Sequence, residues 1–273
     1  MRKTNILEVL RTENILKIMH EGRNPDILYN FSENRWNLLE WYPFRTDGNL
    51  LQLGCGYGAL TGLFVKKLQH VTNITNNEEQ YEVNKVRFAQ YNGVSVEKKH
   101  LEEVNESNQF DYVYLECGYD CAWAMLEAGM ALDDLLKKVK GALKPEGELL
   151  LAINNRNGIS YLSGEKDFYE DEYFQSVEPT QKKYYYSKEE IENTLKKEGF
   201  RNLSFYFPMP NYRFPLEIYS ELWMPQTASG NLLGVGIGEK KYDFLNEKEK
   251  WRLACEEGKA AEVANSFLIQ ASF

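Results

Sequence analysis

The stretch Leu50-Leu51-Gln52-Leu53-Gly54-Cys55-Gly56-Tyr57-Gly58-Ala59-Leu60 decides how the rest of the chain is read. A short apolar run ends in three alternating glycines, and a helical pattern begins at once, with Leu60, Leu63, Phe64 and Leu68 on one face. Such a turn brings bare backbone against a ligand and aims a helix N-terminus at it. Read as G-x-G-x-x-A (Gly54, Gly56, Ala59), it also fits a dinucleotide fold, so the glycines alone leave both nucleotide classes open.

Working outward, apolar runs alternate with helical patterns. HVTNIT (70–75), VSVEK (94–98), FDYVYLEC (110–117) and ELLLAIN (148–154) read as strands. NNEEQYEVNKVRFAQY and residues 128–143 read as helices, each with acids at its start and bases at its end, as the helix dipole favours. KPEG (144–147) reads as a turn. SKEEIENTLKKEGF (187–200) opens on Ser187 and Glu190, the spacing of a capping box, and RNLSFYF and ANSFLIQASF supply a sixth and a seventh strand. The alternation predicts a doubly wound α/β fold around a mostly parallel seven-stranded sheet. Helices over 4–20 and 31–42, the second capped by Ser32, precede it. The expected division is an N-terminal helical cap (1–48), a core (49–207 and 264–273) and an insertion between strands six and seven (208–263), which covers the acceptor side.

Composition narrows the function. Of 273 residues, 43% are hydrophobic and 27% charged, the balance of a folded domain rather than a disordered chain. The net charge of −9 repels phosphate backbones, which argues against nucleic acid as a partner. The N-terminus lacks the apolar core of a signal peptide, and no run approaches a membrane span, so the expected compartment is the cytoplasm. Cys55, Cys117, Cys121 and Cys255 have no framework or zinc spacing and read as buried thiols. His20 and His70 read as surface residues.

G-C-G-Y-G after an apolar strand resembles the first motif of the class I S-adenosylmethionine-dependent methyltransferases, and L-K-P-E-G resembles the turn before their fifth strand. SENRWNLLEWYPF, INNRNGISYLSG and FYFPMPNYRFPLEIYSE are similar to segments of bacterial methyltransferases associated with glycosyltransferases and surface-polysaccharide biosynthesis. The resemblance implies a Rossmann-like methyltransferase fold with S-adenosylmethionine as cofactor. It lays Gly54, Cys55, Gly56, Tyr57 and Gly58 against that cofactor, with Thr75, Asn76, His100, Leu101 and Glu116 completing the pocket.

Two positions depart from the family pattern. Thr75 stands where a carboxylate usually takes the ribose hydroxyls, and His100 where an acid or Asn usually holds the adenine amine. The same missing acid argues against a nicotinamide enzyme. On the acceptor side the resemblance points to Asp120, to Asn154, Asn155, Arg156 and Asn157, and to Tyr161 with the tyrosines that follow it (169, 173, 184, 185, 186). It implies an acid where Asn154 stands and a later acid–histidine pair. GEKDFYEDEYF has no histidine, so the catalytic residue stays unassigned. The expected activity is methyl transfer to a small molecule, a sugar or a biosynthetic intermediate, at oxygen. The alternative is a non-catalytic partner of the same fold beside a biosynthetic enzyme. The Pro-rich insertion, with Phe214 and Trp223, suits either an acceptor cover or a homodimer contact.

Overall fold

The computed structural model describes residues 5–12, 15–21, 25–117, 121, 124–125, 127–166, 173, 186–227 and 244–273. Three short helices, α1 (Ile6–Thr12), α2 (Ile15–Glu21) and α3 (Pro25–Phe31), lead into a 3-10 segment, Glu33–Leu38. Then β1 (Asn49–Leu53), α4 (Thr61–Lys67), β2 (His70–Thr75), α5 (Glu78–Phe88), β3 (Val94–Lys98), a 3-10 turn (Leu101–Glu103) and β4 (Phe110–Cys117) alternate. The chain continues through α6 (Leu132–Ala142), β5 (Leu143–Asn154), α7 (Ile159–Ser163), α8 (Lys188–Lys197), β6 (Asn202–Met209) and β7 (Glu217–Ser220). It closes with α9 (Glu247–Glu256), α10 (Ala260–Val263) and β8 (Ser266–Ser272).

The strands form one sheet in the order β3-β2-β1-β4-β5-β8-β6-β7. The first five are parallel, and β8 runs antiparallel between β5 and β6. The sheet therefore has eight strands, not seven. The extra one, β7, hairpins onto β6 inside the segment expected to be an insertion. Glu217–Ser220 is too short, and too close to Pro215, to stand out as a strand in the sequence.

Alternation along the buried strands sends successive side chains to opposite faces. Leu51, Leu53, Val113, Leu115, Leu149 and Leu151 pack with Leu135, Leu136 and Val139 of α6. Leu50, Tyr112, Tyr114 and Leu150 face the other way, onto Leu63 and Phe64 of α4 and onto Leu38, Leu39 and Tyr42. A third cluster, Ile6, Ile27 and Val83, seats the N-terminal helices on α5.

Three local expectations change. The helix expected over 4–20 is two helices, Ile6–Thr12 and Ile15–Glu21. The helix expected over 31–42 is a six-residue 3-10 segment, with Ser32 Oγ accepting from the Asn34 N–H. KPEG is not a separate turn, because it runs within β5. The pairing there shifts between Phe110 and Tyr112, and such an irregularity tolerates Pro145. Ser187 and Glu190 do form the capping box.

The starts of β1, β4 and β5 meet at Asp111. Its carboxylate accepts from the Asn49 N–H at 2.9 Å and pairs with Lys144 at 2.8 Å and Arg45 at 3.4 Å. Burial pushes the carboxyl pKa up, but Lys144 and the Asn49 N–H outweigh it and hold it below the usual 3.8. Lowering the folded pKa stabilises the protein above 3.8, and that contribution is lost as pH falls through the folded value. Asp111→Asn is expected to lower the urea midpoint at pH 7 and to flatten its fall below pH 3.8. Equal acid sensitivity in both proteins would refute this.

Candidate functional site

The sheet order reverses between β1 and β4, so a crevice opens at their C-terminal ends, where open α/β sheets take ligands. The glycine loop fills its floor. Gly54 and Gly58 have φ of 75° and 83°, the left-handed region that side chains avoid. A Cβ on Gly54 would stand 3.0 Å from the Glu116 carbonyl, so the loop and the end of β4 are walls of one crevice.

Beneath the loop lies a buried polar network. Thr61 Oγ1 donates to Gln52 Oε1 at 2.8 Å, and Asn73 Nδ2 donates to Thr61 Oγ1 and Asn84 Oδ1. Asn84 Nδ2 in turn donates to the carbonyls of Gly56 and Gln80, both at 2.8 Å. An amide at 84 thus sets where the Gly56 peptide points. Asn84→Ala is expected to weaken adenosyl-ligand binding by about tenfold, the equivalent of one net buried hydrogen bond. Calorimetry with S-adenosylhomocysteine checks it; an unchanged affinity would mean that the loop holds itself.

The N-terminal helices reach the same loop. The Tyr57 hydroxyl donates to Glu79 Oε2 at 2.9 Å, and Glu79 Oε1 accepts the Ile6 N–H at 2.9 Å. Arg87 donates to the carbonyls of Tyr57 and Asn30 and stacks on Phe31, and burial brings its pKa down to about 10. The Trp36 indole donates to the Ala59 carbonyl at 2.8 Å.

Around this floor the expected ligand residues sort themselves out. Thr75 ends β2 but turns inward: its hydroxyl donates to Gln80 Oε1 at 2.8 Å and accepts the Asn77 N–H. It therefore braces the entry to α5, whose N-cap is Asn77. Asn76 donates to Glu127 Oε2 at 2.9 Å, joining the end of β2 to the segment after β4. Cys55 is buried beneath the loop, Leu101 is buried, and His100 is exposed at the start of the 3-10 turn. His20 and His70 are exposed as well.

Glu116 is held by a partner that the sequence did not reveal. Arg35 Nη2 reaches both of its carboxylate oxygens at 3.0 Å, and the Tyr114 hydroxyl donates to Oε2 at 3.0 Å. The pair is 5% and 14% exposed. Burial disfavours the Arg35 charge, but Glu116 more than restores it, and the guanidinium stacks over Tyr29 at 4.4 Å. Burial and the neighbouring Glu116 together push the Tyr114 phenol well above its usual range.

Among the residues expected on the acceptor side, Asn155 is fully buried. It donates to the carbonyls of Glu262 and Ala264 and accepts the Asn157 N–H, so it fastens β5 to the lead into β8 instead of facing a ligand. Arg156 turns to α8 and pairs with Glu190 at 2.8 Å. Tyr161 is buried and lines a small polar cavity beside Asn154, Asn211 and Arg213. Asp120, Tyr169, Tyr184 and Tyr185 lie outside the described residues. Arg35, buried, and Arg213, half-buried, were both missed; a single arginine inside the fold leaves no periodic signature. No group of His, Cys, Asp and Glu suited to a metal occurs among the described residues, and none of their helices is long and apolar enough to cross a membrane.

Residues 51–151 match the family model described as a methyltransferase domain. No curated protein matches the sequence. The fold is similar to that of a SAM-dependent methyltransferase of Thermotoga maritima, with 16% identity over 95% of this chain and 99% of that one and a TM-score of 0.52. A SAM-dependent methyltransferase of Archaeoglobus fulgidus gives 15% identity over 94% and 98%, with a TM-score of 0.51. Phosphoethanolamine N-methyltransferase 2 of Haemonchus contortus, in complex with S-adenosyl-L-methionine, gives 16% over 95% of this chain but 60% of that one, with a TM-score of 0.53. The chain thus has a Rossmann-like methyltransferase fold, and its residues 51–151 match a methyltransferase domain.

Proposed function

We propose that the chain is an S-adenosylmethionine-dependent methyltransferase acting at oxygen on a small molecule, a sugar or a biosynthetic intermediate. One observation carries the reading: a strand–glycine loop–helix unit at the strand-order reversal, whose Gly56 carbonyl is fixed by Asn84. S-Adenosylmethionine is the cofactor, and when bound it supplies an electrophilic methyl group. The Gly54–Gly58 backbone fits its amino-acid end. The ribose end has Thr75 in place of a carboxylate.

The protein's own part is alignment and exclusion of water. Glu116, committed to Arg35 and Tyr114, shapes the crevice rather than taking a proton. Four buried free thiols suit a reducing compartment such as the cytoplasm.

Calorimetry with S-adenosylmethionine, S-adenosylhomocysteine and NAD tests the reading. Dissociation constants below about 100 μM for the two adenosyl ligands, about −5.5 kcal/mol, are expected, with none for NAD. Binding of none of the three would favour the second reading, a non-catalytic partner, which the inward-turned Thr75 supports. Thr75→Asp is expected to leave cofactor affinity within about threefold, because the side chain at 75 is turned to Gln80 and Asn77 and not into the crevice. A gain of about tenfold in affinity for the Asp variant would instead place residue 75 at the ribose.

A further inference from the structure

Alternation along β6 sends Phe205, Phe207 and Met209 into the core. Tyr206 and Pro208 therefore face the other way. Their register partners on the edge strand β7, Ser220 and Ile218, lie beside them on that face. Trp41, just after the 3-10 segment, stands over this part of the sheet. It is 44% exposed, and its ring meets that of Tyr206 at 4.8 Å between centroids. Its indole N–H donates to the Leu38 carbonyl at 2.9 Å, which fixes the plane of the ring. Pro215 and Leu216 add further wall, and Asn37 Nδ2 donates to the Pro215 carbonyl at 3.1 Å, tying the two sides together. These residues enclose a groove of about 400 Å³, within the range of about 300–1,000 Å³ usual for small-ligand sites.

The chemistry of the lining selects the ligand. Among the described residues no lysine, arginine or histidine lines the groove, so it offers no cation to a phosphate or a carboxylate. Glu217, the carboxylate in its wall, accepts the Tyr219 hydroxyl. Burial and the nearby Glu148 push the Tyr206 phenol above its ordinary value, so it stays neutral. Asn37 Oδ1 and the hydroxyls of Ser220 and Tyr206 make no hydrogen bond among the described residues. An indole face beside neutral donors and acceptors suits a molecule with one apolar face and a hydroxyl-bearing edge. A pyranose ring has both, since its axial C–H bonds form a flat face and its equatorial hydroxyls lie around the rim. A flat aromatic ligand would leave the polar atoms unused, and an open-chain polyol would have no face and would lose more rotamer freedom.

We propose that the groove between Trp41 and β7 is a saccharide subsite that takes one uncharged pyranose ring, stacked on Trp41 and hydrogen-bonded through Asn37 and Ser220. It is separate from the glycine-loop crevice: the 3-10 segment sends Arg35 to Glu116 in the crevice and Asn37 to Pro215 at the groove. The subsite therefore stands independently of the methyltransferase reading.

The test is ligand-observed NMR on the full chain, with the methyl α-pyranosides of glucose, galactose and mannose as probes and sorbitol, glucose 6-phosphate and benzyl alcohol as comparisons. At least one methyl pyranoside is expected to bind with a dissociation constant of about 1–10 mM. It should bind about fivefold or more tighter than sorbitol, and no more weakly than glucose 6-phosphate. Trp41→Ala is expected to weaken it by about tenfold or more, and Trp41→Phe, which keeps a ring face, by less than about threefold. Ser220→Ala, which removes only a hydroxyl, is expected to weaken it by about threefold. Leu222, 97% exposed on the turn beyond the groove, supplies the control Leu222→Ser, with affinity unchanged. Urea unfolding confirms that each variant is folded. Absence of binding by all three methyl pyranosides, equal binding of sorbitol, or binding of benzyl alcohol alone would overturn the proposal. So would unchanged affinity in Ser220→Ala and Trp41→Phe if Trp41→Ala does not fold, or in Trp41→Ala if it does. None of the probes carries an adenosyl group, so failure to bind S-adenosylhomocysteine would overturn the methyltransferase reading and leave the subsite standing.

Discussion

A Gly58→Ala protein is expected to lose about 2–5 kcal/mol of stability and to bind S-adenosylmethionine about tenfold or more weakly. The left-handed φ of 83° costs any other residue about 1–2 kcal/mol. The added methyl would also stand 2.5 Å from both Asn84 Oδ1 and the Phe88 ring, and forcing a methyl into packed surroundings costs about 1–3 kcal/mol more. Relief by moving Asn84 would release the Gly56 carbonyl, so stability and cofactor affinity should fall together. Gly129→Ala is the internal control. Its φ is 61°, but nothing lies within 4 Å of the new methyl, so only the conformational cost of about 1–2 kcal/mol applies. Urea unfolding and calorimetry on both variants check the difference. Equal losses in the two would show that contact with α5 is unimportant.

Arg35→Met has the other large expected effect. Removing the guanidinium strands Glu116 in a crevice where it is 14% exposed, and breaking a buried pair from one side costs about 3–5 kcal/mol. The Tyr114 hydroxyl remains but carries no charge to offset the carboxylate. Adding Glu116→Gln removes the stranded charge, so the double variant should regain about 1–3 kcal/mol over Arg35→Met alone. A double variant no more stable than the single one would mean that Arg35 contributes only its stacking on Tyr29.

The sequence conveyed the parallel half of the sheet with little ambiguity. HVTNIT, VSVEK and FDYVYLEC became β2, β3 and β4 residue for residue, because fully or half-buried strands between turn residues have few other ways to be read. It conveyed the glycine loop for the same local reason. It did not convey β7, whose four residues are paired only through β6, nor the passage of β5 through KPEG, which depends on the irregular pairing opposite Phe110. The site was half legible. Arg35 and Glu116 are 81 residues apart, and no periodicity links them. Thr75 was legible as a position but not as a contact, since its orientation depends on Gln80 one helical turn later. Asn155 and Arg156 carried polar side chains at the right strand end, yet the entry to β8 and the start of α8 claim them.

The antiparallel strand β8 lies between β5 and β6, though it follows both in the chain. A ribosome therefore releases β6 and its hairpin partner before the strand that must separate them from β5 exists. Until residues 266–272 emerge, β5 carries an open edge, and the nascent protein depends on β6 not pairing with that edge directly. Parallel docking of β6 on β5 would be a ready trap, and late arrival of β8 makes displacement of that pairing a slow step to look for in pulsed refolding.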